Sequence, residues 1–427
     1  MLISTNESRL FRFTDLKIQS LENKTLIVIG GGAAGFFCAV NAAKMNAGLR
    51  VILLEKQQKL LSKVKVSGGG RCNVTHACFE IDELAKYYPR GEKFLRKAFH
   101  WFNTTDTINW FEERGVKITK ESDGRMFPIS NDSQTIIDCL LKEATKYKVE
   151  IITGCDVGSI TKLNDAWQVE TGRHTYNADF VCVAAGGYNT LAKFDWLQKL
   201  GHASEAPVPS LFTFNMPKNP IIELMGVSVP MVQIKLSGSK LQTNGAILIT
   251  HWGLSGPAVL KLSAWGAREL ANKDYKFTIM VNWLNDCNEQ QLRVQWNSLR
   301  NELAAQKIGN KNPFGLPNRL WNYFLLHCKI SEDARWAELT SANQNKLITT
   351  LTGQQFDVNG KTTFKEEFVT CGGIKLSEID PNTMESKKAP NLFFAGEVLD
   401  VDGVTGGFNF QNAWTSGWIA AKAVSSR

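Results

Sequence analysis

The stretch from residue 25 to residue 55 decides the fold and reads TLIVIGGGAAGFFCAVNAAKMNAGLRVILLE. It opens with five mostly β-branched apolar residues, continues with glycines in the spacing G-x-G-x-x-G, and ends in a second apolar run. We predict a strand over 25–29, a helix over 36–46 and a strand over 50–55. A strand, a glycine turn, a helix and a second strand in this order are the setting in which that spacing binds a dinucleotide.

Each glycine of the cluster has its own task in such a site. Gly30 allows a tight turn, Gly32 leaves room for a pyrophosphate, and Gly35 lets the helix pack closely on the strand. The N-terminus of the helix offers free N–H groups and the positive end of its dipole to phosphates. Glu55 ends the second strand, where a carboxylate accepts hydrogen bonds from both hydroxyls of a ribose. Because that carboxylate disfavours a 2′-phosphate, FAD and NAD remain as candidates.

Three later segments favour FAD. Residues 391–397, NLFFAGE, read as a strand that ends in glycine and an acid, and residues 180–187, FVCVAAGG, read as a buried strand that runs into small residues. Residues 406–417 begin a C-terminal helix that we expect to end near residue 424. The N-terminus of that helix is suited to face the N1 and O2 edge of a flavin, where negative charge accumulates on reduction.

Composition is that of an ordinary soluble globular protein. The chain has 427 residues, of which 43% are hydrophobic and 21% are charged, and its net charge is +8. These values exclude a disordered, collagen-like or disulfide-scaffold protein. The nine scattered cysteines form no C-x-x-C, which favours reduced thiols in the cytoplasm, and we predict no metal site. Residues 25–43 are uncharged, but their central glycines would weaken a helix, so we predict no membrane span.

Five motifs make the chain resemble a known group of flavoproteins of the two-dinucleotide-binding-domain type. This group is the BaiN/RdsA-type NAD(P)/FAD-dependent oxidoreductases, which include aminoacetone-oxidase-like members. The motifs are IGGGAAG at 29–35, KVSGGGRCNVT at 65–75, GRMFP at 124–128, THWGLSGP at 250–257 and AGEVLDVDGVTGGFN at 395–409. They span nearly the whole chain after about residue 24. Phe408 stands where the family pattern often has tyrosine.

The resemblance implies an α/β fold with a discontinuous Rossmann-like FAD-binding domain and an inserted region that is β-barrel-like and helical. We expect an N-terminal tail over 1–21, the FAD-binding domain over 22–205 and 366–427, and an inserted substrate or lid region over 206–365. Within the insertion, short β-type runs between about 207 and 280 suggest a small barrel or sandwich, and residues 286–352 read as helical.

FAD is the cofactor that the motifs and the resemblance imply. The cofactor-binding residues that we predict are Gly30, Gly31, Gly32, Ala33, Ala34, Gly35, Glu55, Lys56, Gly70, Arg71, Cys72, Val157, Ala185, Gly186, Gly396, Glu397, Gly406, Gly407, Phe408 and Asn409. The sequence has no second G-x-G-x-x-G unit, so NAD(P)H, if it is the reductant, must approach the flavin transiently through the substrate opening. Oxygen or another carrier is the alternative redox partner.

Four side chains are candidates for the chemistry beside the flavin. Cys72 is the catalytic candidate, as a proton donor to a carbanion-like carbon, although a buried cysteine more often serves as a small hydrophobic residue. Arg71 is placed to pair with the pyrophosphate or to steady the reduced flavin. Arg125 is a candidate for an anionic group of the substrate, and a loop salt bridge is its alternative. His251 is a candidate acid or base at the substrate, with a structural histidine as the alternative.

A basic stretch over 59–97 bears on the substrate. It holds nine Lys or Arg residues against four acids, with aromatic residues interleaved, which suits either a nucleic-acid track or a solvated helix face. By resemblance, some relatives reduce a uridine of large-subunit ribosomal RNA to dihydrouridine, with hydride passing from flavin N5 to uracil C6. Others oxidise small amines such as aminoacetone with oxygen.

The leading hypothesis is therefore NAD(P)H-dependent uridine reduction by a cytoplasmic protein. An amine oxidase and a flavin-binding protein without turnover are the alternatives. The sequence does not fix the oligomeric state.

Overall fold

The computed structural model describes residues 24–363 and 369–427, so the expected N-terminal tail over 1–21 lies outside the described residues. The strands are β1 (Thr25–Ile29), β2 (Arg50–Glu55), β3 (Thr75–His76), β4 (Ile118–Lys120), β5 (Arg125–Pro128), β6 (Glu150–Thr153), β7 (Val157–Leu163), β8 (Ala166–Thr171), β9 (Thr175–Ala178), β10 (Phe180–Val183), β11 (Val208–Ser210), β12 (Thr213–Asn215), β13 (Ser228–Leu236), β14 (Gln242–Thr250), β15 (Gly253–Ser255), β16 (Lys276–Asn282), β17 (Gln354–Asn359), β18 (Lys361–Thr362), β19 (Val369–Cys371) and β20 (Leu392–Phe394). The helices are α1 (Ala33–Met45), α2 (Ser62–Gly70), α3 (Ile81–Ala85), α4 (Glu92–Ala98), α5 (Thr104–Glu112), α6 (Gln134–Lys146), α7 (Asp195–Gln198), α8 (Pro257–Trp265), α9 (Ala267–Asn272), α10 (Glu289–Glu302), α11 (Asn318–His327), α12 (Ser341–Gly353) and α13 (Phe408–Ser425).

A parallel sheet of five strands, in the order β20-β10-β1-β2-β6, forms the Rossmann-like part of the fold. The register places Ile27 beside Val181 on one side and Ile52 on the other, so the central strands are apolar and buried on both faces. Helices α1 and α13 pack against each other. The strand that completes the sheet comes from the C-terminal part of the chain, which confirms the discontinuous Rossmann-like fold that the sequence predicts.

The first helix differs from the prediction at its start. It runs from Ala33 to Met45 rather than over 36–46, because the first helical turn closes directly on the glycine cluster, where the N–H of Phe36 donates to the carbonyl of Gly32 at 3.0 Å. Gly32 is therefore the N-cap residue of α1, and the helix begins at the cavity described below.

The inserted region forms an antiparallel sheet of seven strands in the order β17-β16-β13-β14-β15-β12-β18. Its two end strands are consecutive in the chain and are separated only by Gly360, so one bent segment pairs with β16 at one end and β12 at the other. This connection curls the sheet back on itself, as expected for a barrel-like region. Helices α10, α11 and α12 pack beside it over a second apolar core that contains four buried tryptophans, Trp283, Trp296, Trp321 and Trp336. The domain boundaries remain a prediction.

A buried ion pair joins the two parts of the fold. Arg90 donates from Nε to Oδ1 of Asp402 at 2.5 Å, and its Nη2 meets the second oxygen of that fully buried carboxylate. The remaining partners come from the inserted region, because Nη1 of Arg90 donates to the carbonyl of Ala264 at 2.6 Å and the hydroxyl of Ser210 donates to Asp402 at 2.7 Å. The carboxylate of Asp402 is thus the centre of this contact.

We expect Arg90→Met to lower the free energy of unfolding by about 3–5 kcal/mol, because it leaves the carboxylate of Asp402 buried without its cation. Chemical denaturation of the purified protein measures this change. The matched control is Arg50→Met, which breaks the exposed pair between Arg50 and Glu150 and should cost at most about 1 kcal/mol. Equal losses for the two variants would contradict a structural role for the buried pair.

Candidate active site

A cavity of about 670 Å³ opens at the carboxyl ends of β1, β2, β10 and β20, the edge at which doubly wound sheets bind their ligands. The segments that follow these four strands form one wall. The opposite wall comes from the inserted region, where Leu211, Thr213, Ser255, Leu260 and Thr362 line the cavity. The cavity is therefore shared between the parallel sheet and the insertion.

Most of the predicted cofactor residues lie on this cavity. Those that line it are Gly30, Gly31, Gly32, Ala33, Ala34, Glu55, Lys56, Ala185, Gly186, Gly396, Glu397, Gly406, Gly407 and Asn409, together with the predicted substrate residue Arg125. Those outside its lining are Gly35, Gly70, Arg71, Cys72, Val157, Phe408 and His251. The assignment of these residues to cofactor or substrate remains a prediction.

The glycines of the first turn have two different environments: one is packed against protein atoms, and another is open to the cavity. A methyl group added at Gly35 would lie 1.8 Å from the carbonyl oxygen of Gly30, so this position is closed by the protein itself. A methyl group added at Gly32 would meet no protein atom within 4 Å and would project into the space of the cavity. Because α1 has no side-chain cap and no acidic residue in its first turn, its N–H groups are left for an anionic ligand.

Glu55 lies at the end of β2 as predicted, and it already binds the backbone. Its Oε2 accepts from the N–H of Gly31 at 2.6 Å, and its Oε1 accepts from the N–H of Gln57 at 2.8 Å. A carboxylate has about four acceptor positions, so these two bonds leave capacity for the hydroxyls of a ribose. The backbone contacts fix the carboxylate on the cavity wall.

Helix α13 begins on the same cavity, beyond Gly406 and Gly407. Its first turn has neither an acidic residue nor a side-chain cap. Asn409 uses its amide to clamp the preceding loop, since its Oδ1 accepts from the N–H of Gly403 and its Nδ2 donates to the carbonyl of the same residue, both at 2.9 Å. Two helix N-termini with free N–H groups thus meet one cavity, which fits a long ligand with a phosphate group and a second electron-rich end.

The loop over 67–73 is tightly wound. Gly68, Gly69 and Gly70 have φ values of +59°, +70° and +85°, and Cys72 follows at +60°. This conformation turns the thiol of Cys72 into the protein, where it is fully buried, and burial raises its pKa to about 12. The structure therefore places Cys72 behind the loop rather than on the cavity, and its position gives no support to the predicted role as proton donor.

Arg71 and Arg125 share one acidic partner. Nη1 of Arg71 donates to Oε1 of Glu121 at 2.6 Å, and Nη2 of Arg125 donates to its Oε2 at 2.9 Å. Asp123 holds the other side of Arg125 through Nε at 2.7 Å, and both guanidinium groups lie over the ring of Phe127. Glu121 therefore links the two guanidinium groups, and of these two arginines Arg125 is the one that lines the cavity.

His251 lies away from the cavity. It occupies the exposed turn between β14 and β15, where its ring packs on Trp252 at a centroid distance of 3.6 Å. The neighbouring motif residue Ser255 reaches the cavity instead. A turn joining two antiparallel strands puts its tip at the far end of the strands, which explains why the two residues separate.

His76 is a polar residue at the site that the sequence reasoning missed. Its Nδ1 donates to the carbonyl of Gly406 at 3.0 Å, its ring stacks on Phe408, and burial lowers its pKa. The pairing of β3 with β5 sets His76 opposite Arg125. This register depends on residues fifty positions apart, and the local sequence carries no sign of it.

The basic stretch over 59–97 is largely paired within the protein. Six of its nine cations form ion pairs with acidic side chains, namely Lys63, Lys65, Arg71, Lys86, Arg90 and Arg96. The positive face is therefore weaker than the count of charges predicts. Arg90 in particular belongs to the buried pair and is not available to a nucleic acid.

Comparison of the sequence with known protein families identifies the family of this chain. The family described as HI0933-like protein Rossmann domain matches residues 24–423. The chain belongs to this family. Its members are flavoprotein oxidoreductases, and the mixed α/β fold with a parallel Rossmann-like sheet agrees with this assignment. The family assignment confirms the resemblance drawn from the five sequence motifs.

Two named relatives cover almost the whole chain. The chain is 32% identical over 413 residues to the ribosomal RNA dihydrouridine synthase of Escherichia coli (strain K12), covering 94% of this chain and 98% of that protein. It is 27% identical over 409 residues to the 3-dehydro-bile acid delta(4,6)-reductase of Clostridium scindens, covering 94% of this chain and 98% of that protein.

A solved structure supports the fold. The 3-ketosteroid delta1-dehydrogenase of Sterolibacterium denitrificans superposes with a TM-score of 0.50 at 12% sequence identity, covering 94% of this chain and all of that chain. Among the helices within 24–363 and 369–427, none has the length and apolar character needed to cross a membrane.

We expect Gly32→Ala and Gly35→Ala to have opposite effects. The free energy of unfolding of Gly32→Ala should lie within about 0.5 kcal/mol of the wild-type value, because the added methyl group meets no protein atom. The same variant should bind FAD at least about tenfold more weakly. Gly35→Ala should lower the free energy of unfolding by about 3 kcal/mol or more, because its methyl group overlaps a carbonyl oxygen. Thermal melting and flavin fluorescence titration measure the two effects. Normal FAD binding by Gly32→Ala would show that the ligand does not pass this glycine.

Cys72→Ala should leave the pH profile of flavin turnover unchanged, because a buried thiol with a pKa of about 12 does not titrate near neutral pH. Steady-state rates between pH 6 and pH 9 test this. Cys139→Ala is the matched control, since this thiol is also buried and has a pKa raised to about 11. A loss of about 10²–10⁴ in rate for Cys72→Ala alone would establish it as the proton donor after all.

Proposed function

We propose that this chain binds FAD along the cavity and reduces a carbon–carbon double bond that is conjugated to a carbonyl group. The specific substrate that we propose is a uridine in large-subunit ribosomal RNA, with NAD(P)H as the reductant and dihydrouridine as the product. The observation that carries this proposal is Arg125, which lines the cavity and whose guanidinium group is held in place by Glu121 and Asp123.

The chain offers a place for each part of FAD. Glu55 suits the ribose of the adenosine half, and the space in front of Gly32 with the N-terminus of α1 suits the pyrophosphate. The turn through Gly406 and Gly407 with the N-terminus of α13 suits the flavin end. When bound, the flavin supplies hydride transfer at N5.

Arg125 suits the carbonyl end of a conjugated substrate. Adding hydride to the far carbon of such a double bond pushes negative charge onto the carbonyl oxygen, and a fixed cation stabilises that charge. A proton from water then adds to the carbon next to the carbonyl group, which completes the reduction. The two bonds to carboxylates use two of the five N–H groups of Arg125, which leaves donors for the substrate oxygen. Because both acidic partners hold the guanidinium in place, it needs no reorganisation as the charge develops.

The two named relatives share this chemistry. A uridine carries its reactive double bond next to the C4 carbonyl, and a 3-dehydro bile acid with 4,6 double bonds carries them next to the C3 carbonyl. The identity of 32% over nearly the whole chain supports the ribosomal RNA substrate among the two. An RNA substrate of this kind also fits the cytoplasmic location that the cysteine content predicts.

The walls of the cavity favour this substrate class over a small amine. The residues that the insertion contributes are apolar or carry hydroxyl groups, including Thr213, Ser255 and Thr362. The carboxylates among the described lining residues are Glu55 and Glu397. Glu55 accepts from backbone N–H groups, and Glu397 binds Lys63 and the N–H of Thr370, so both carboxylates already have partners within the protein. Hydroxyl groups instead suit the N–H and carbonyl groups of a neutral base.

The test of the proposal is the dihydrouridine content of ribosomal RNA. Mass mapping of RNA from a strain without the gene should show one dihydrouridine lost, and expression of the wild type or of Arg50→Met should restore it. Arg125→Met should bind FAD and accept electrons from NAD(P)H normally, but should slow reoxidation by RNA about 10²–10³-fold, because the oxyanion loses its cation. Stopped-flow measurement of the two half-reactions separates these effects.

Two results would redirect the assignment. Unchanged dihydrouridine in the deletion strain, together with steady oxygen uptake on aminoacetone, would support a small-amine oxidase. A bound flavin that neither nicotinamides nor amines reduce would support a flavin-binding protein without turnover.

A further inference from the structure

Three residues of the insertion that carry hydroxyl groups lie side by side on neighbouring strands. Thr362 of β18 is the register partner of Thr213 of β12. The register of β12 with β15 pairs Phe214 with Leu254, so Ser255 is the neighbour of Thr213 on the other side. Residues directly opposite each other on adjacent strands share one face of the sheet, with Cβ atoms about 5 Å apart. Thr362, Thr213 and Ser255 therefore form a hydroxyl row across the sheet.

The hydroxyl row belongs to the face of the inserted sheet that lines the cavity. Successive side chains of a strand point to opposite faces of its sheet. Phe214 follows Thr213 in β12 and is fully buried in the apolar core of the insertion. Leu254 precedes Ser255 in β15 and is fully buried in the same core. The hydroxyl row is therefore on the opposite face, and its three residues all line the cavity.

Hydrogen bonds within the protein decide which members of the hydroxyl row can donate to a ligand. The hydroxyl of Thr213 donates to the carbonyl of Thr362 at 3.3 Å, and the hydroxyl of Thr362 donates to Oδ1 of Asn215 at 3.0 Å. A hydroxyl group has one proton and two lone pairs, so both threonines keep only acceptor positions for a ligand. The hydroxyl of Ser255 has no hydrogen-bond partner within 24–363 and 369–427, so its proton is available. The row thus offers an acceptor beside a donor.

A ring with a carbonyl group next to an N–H group complements this pair. Uracil has such an edge, because its N3–H lies between two carbonyl groups. The ring ketone of a steroid has no N–H beside its carbonyl group, and the unprotonated N3 of cytosine would meet the lone pairs of Thr213. We infer that Thr213 accepts a hydrogen bond from N3–H of the substrate uracil and that Ser255 donates to a carbonyl group beside it. This inference rests on the proposed function, and it adds the residues that select uracil.

The test combines variants of the protein with a modified substrate. The probe is a synthetic RNA fragment around the position at which mass mapping locates dihydrouridine, with either uridine or N3-methyluridine at that position. Methylation removes the N–H, so it should slow reoxidation of the reduced wild-type flavin at least about tenfold. Thr213→Ala should react about tenfold more slowly with the uridine RNA and should show no further loss on methylation, because both changes remove the same hydrogen bond. Stopped-flow measurement over a range of RNA concentrations gives these rates.

Thr243→Ala is the matched control. The hydroxyl of Thr243 donates to the carbonyl of Ala258 at 2.8 Å in the same sheet, but Thr243 does not line the cavity. This variant should lower the melting temperature about as much as Thr213→Ala and should react with both RNA fragments as the wild type does. Thr213→Ser keeps the hydroxyl and should react with the uridine RNA within about twofold of the wild-type rate. Ser255→Ala should react with it about tenfold more slowly.

Three outcomes would overturn the inference. Equal slowing by methylation in the wild type and in Thr213→Ala would show that Thr213 does not contact N3–H. Wild-type rates for Ser255→Ala would remove the donor to the carbonyl group. A wild-type protein that reduces no uridine in RNA would overturn the proposed function and this inference with it, so the wild-type reaction with unmodified RNA separates the two failures.

Discussion

The site depends on a buried ion pair between parts of the chain that are far apart in sequence. The parallel sheet and the inserted sheet each have their own apolar core, and the cavity lies where the two parts meet. Arg90 and Asp402 both belong to the part with the parallel sheet, and Ala264 and Ser210 of the insertion satisfy the polar atoms that the pair leaves over. A buried pair repays the cost of desolvation only when its geometry and its additional hydrogen bonds are good. Here those additional bonds come from the insertion, so the pair is complete only when both walls of the cavity are in place.

The cavity also has an electrostatic division along its length. At the nucleotide end, helix α1 presents free N–H groups, and Lys56 and Lys63 add positive charge to the wall. Arg125 also lines the cavity, and its charge is balanced by Glu121 and Asp123. This arrangement suits a ligand whose phosphates lie at one end and whose reacting neutral ring lies at the other.

The sequence predicted the parts of this site that depend on local patterns. The strand bounds of β1 and β2, the position of Glu55 and the start of the last helix all follow from runs of residues that are close in the chain. The positions of Cys72 and His251 relative to the cavity could not be predicted from such local runs of residues. Cys72 turns inward because three preceding glycines adopt left-handed backbone, and His251 sits at the tip of a strand turn. His76 was missed because its position comes from strand register, which no single stretch of sequence encodes.

The order of the segments along the chain has a consequence for biosynthesis. Strand β20 and helix α13 come from the last part of the chain, yet β20 pairs with β10 and α13 packs on α1. During translation, β10 therefore has an open edge and α1 an uncovered apolar face until nearly the whole polypeptide has left the ribosome. The inserted sheet is synthesised in between and can fold first, since its strands pair only with one another. The strands of the inserted sheet can therefore all be available while the parallel sheet still lacks its final strand.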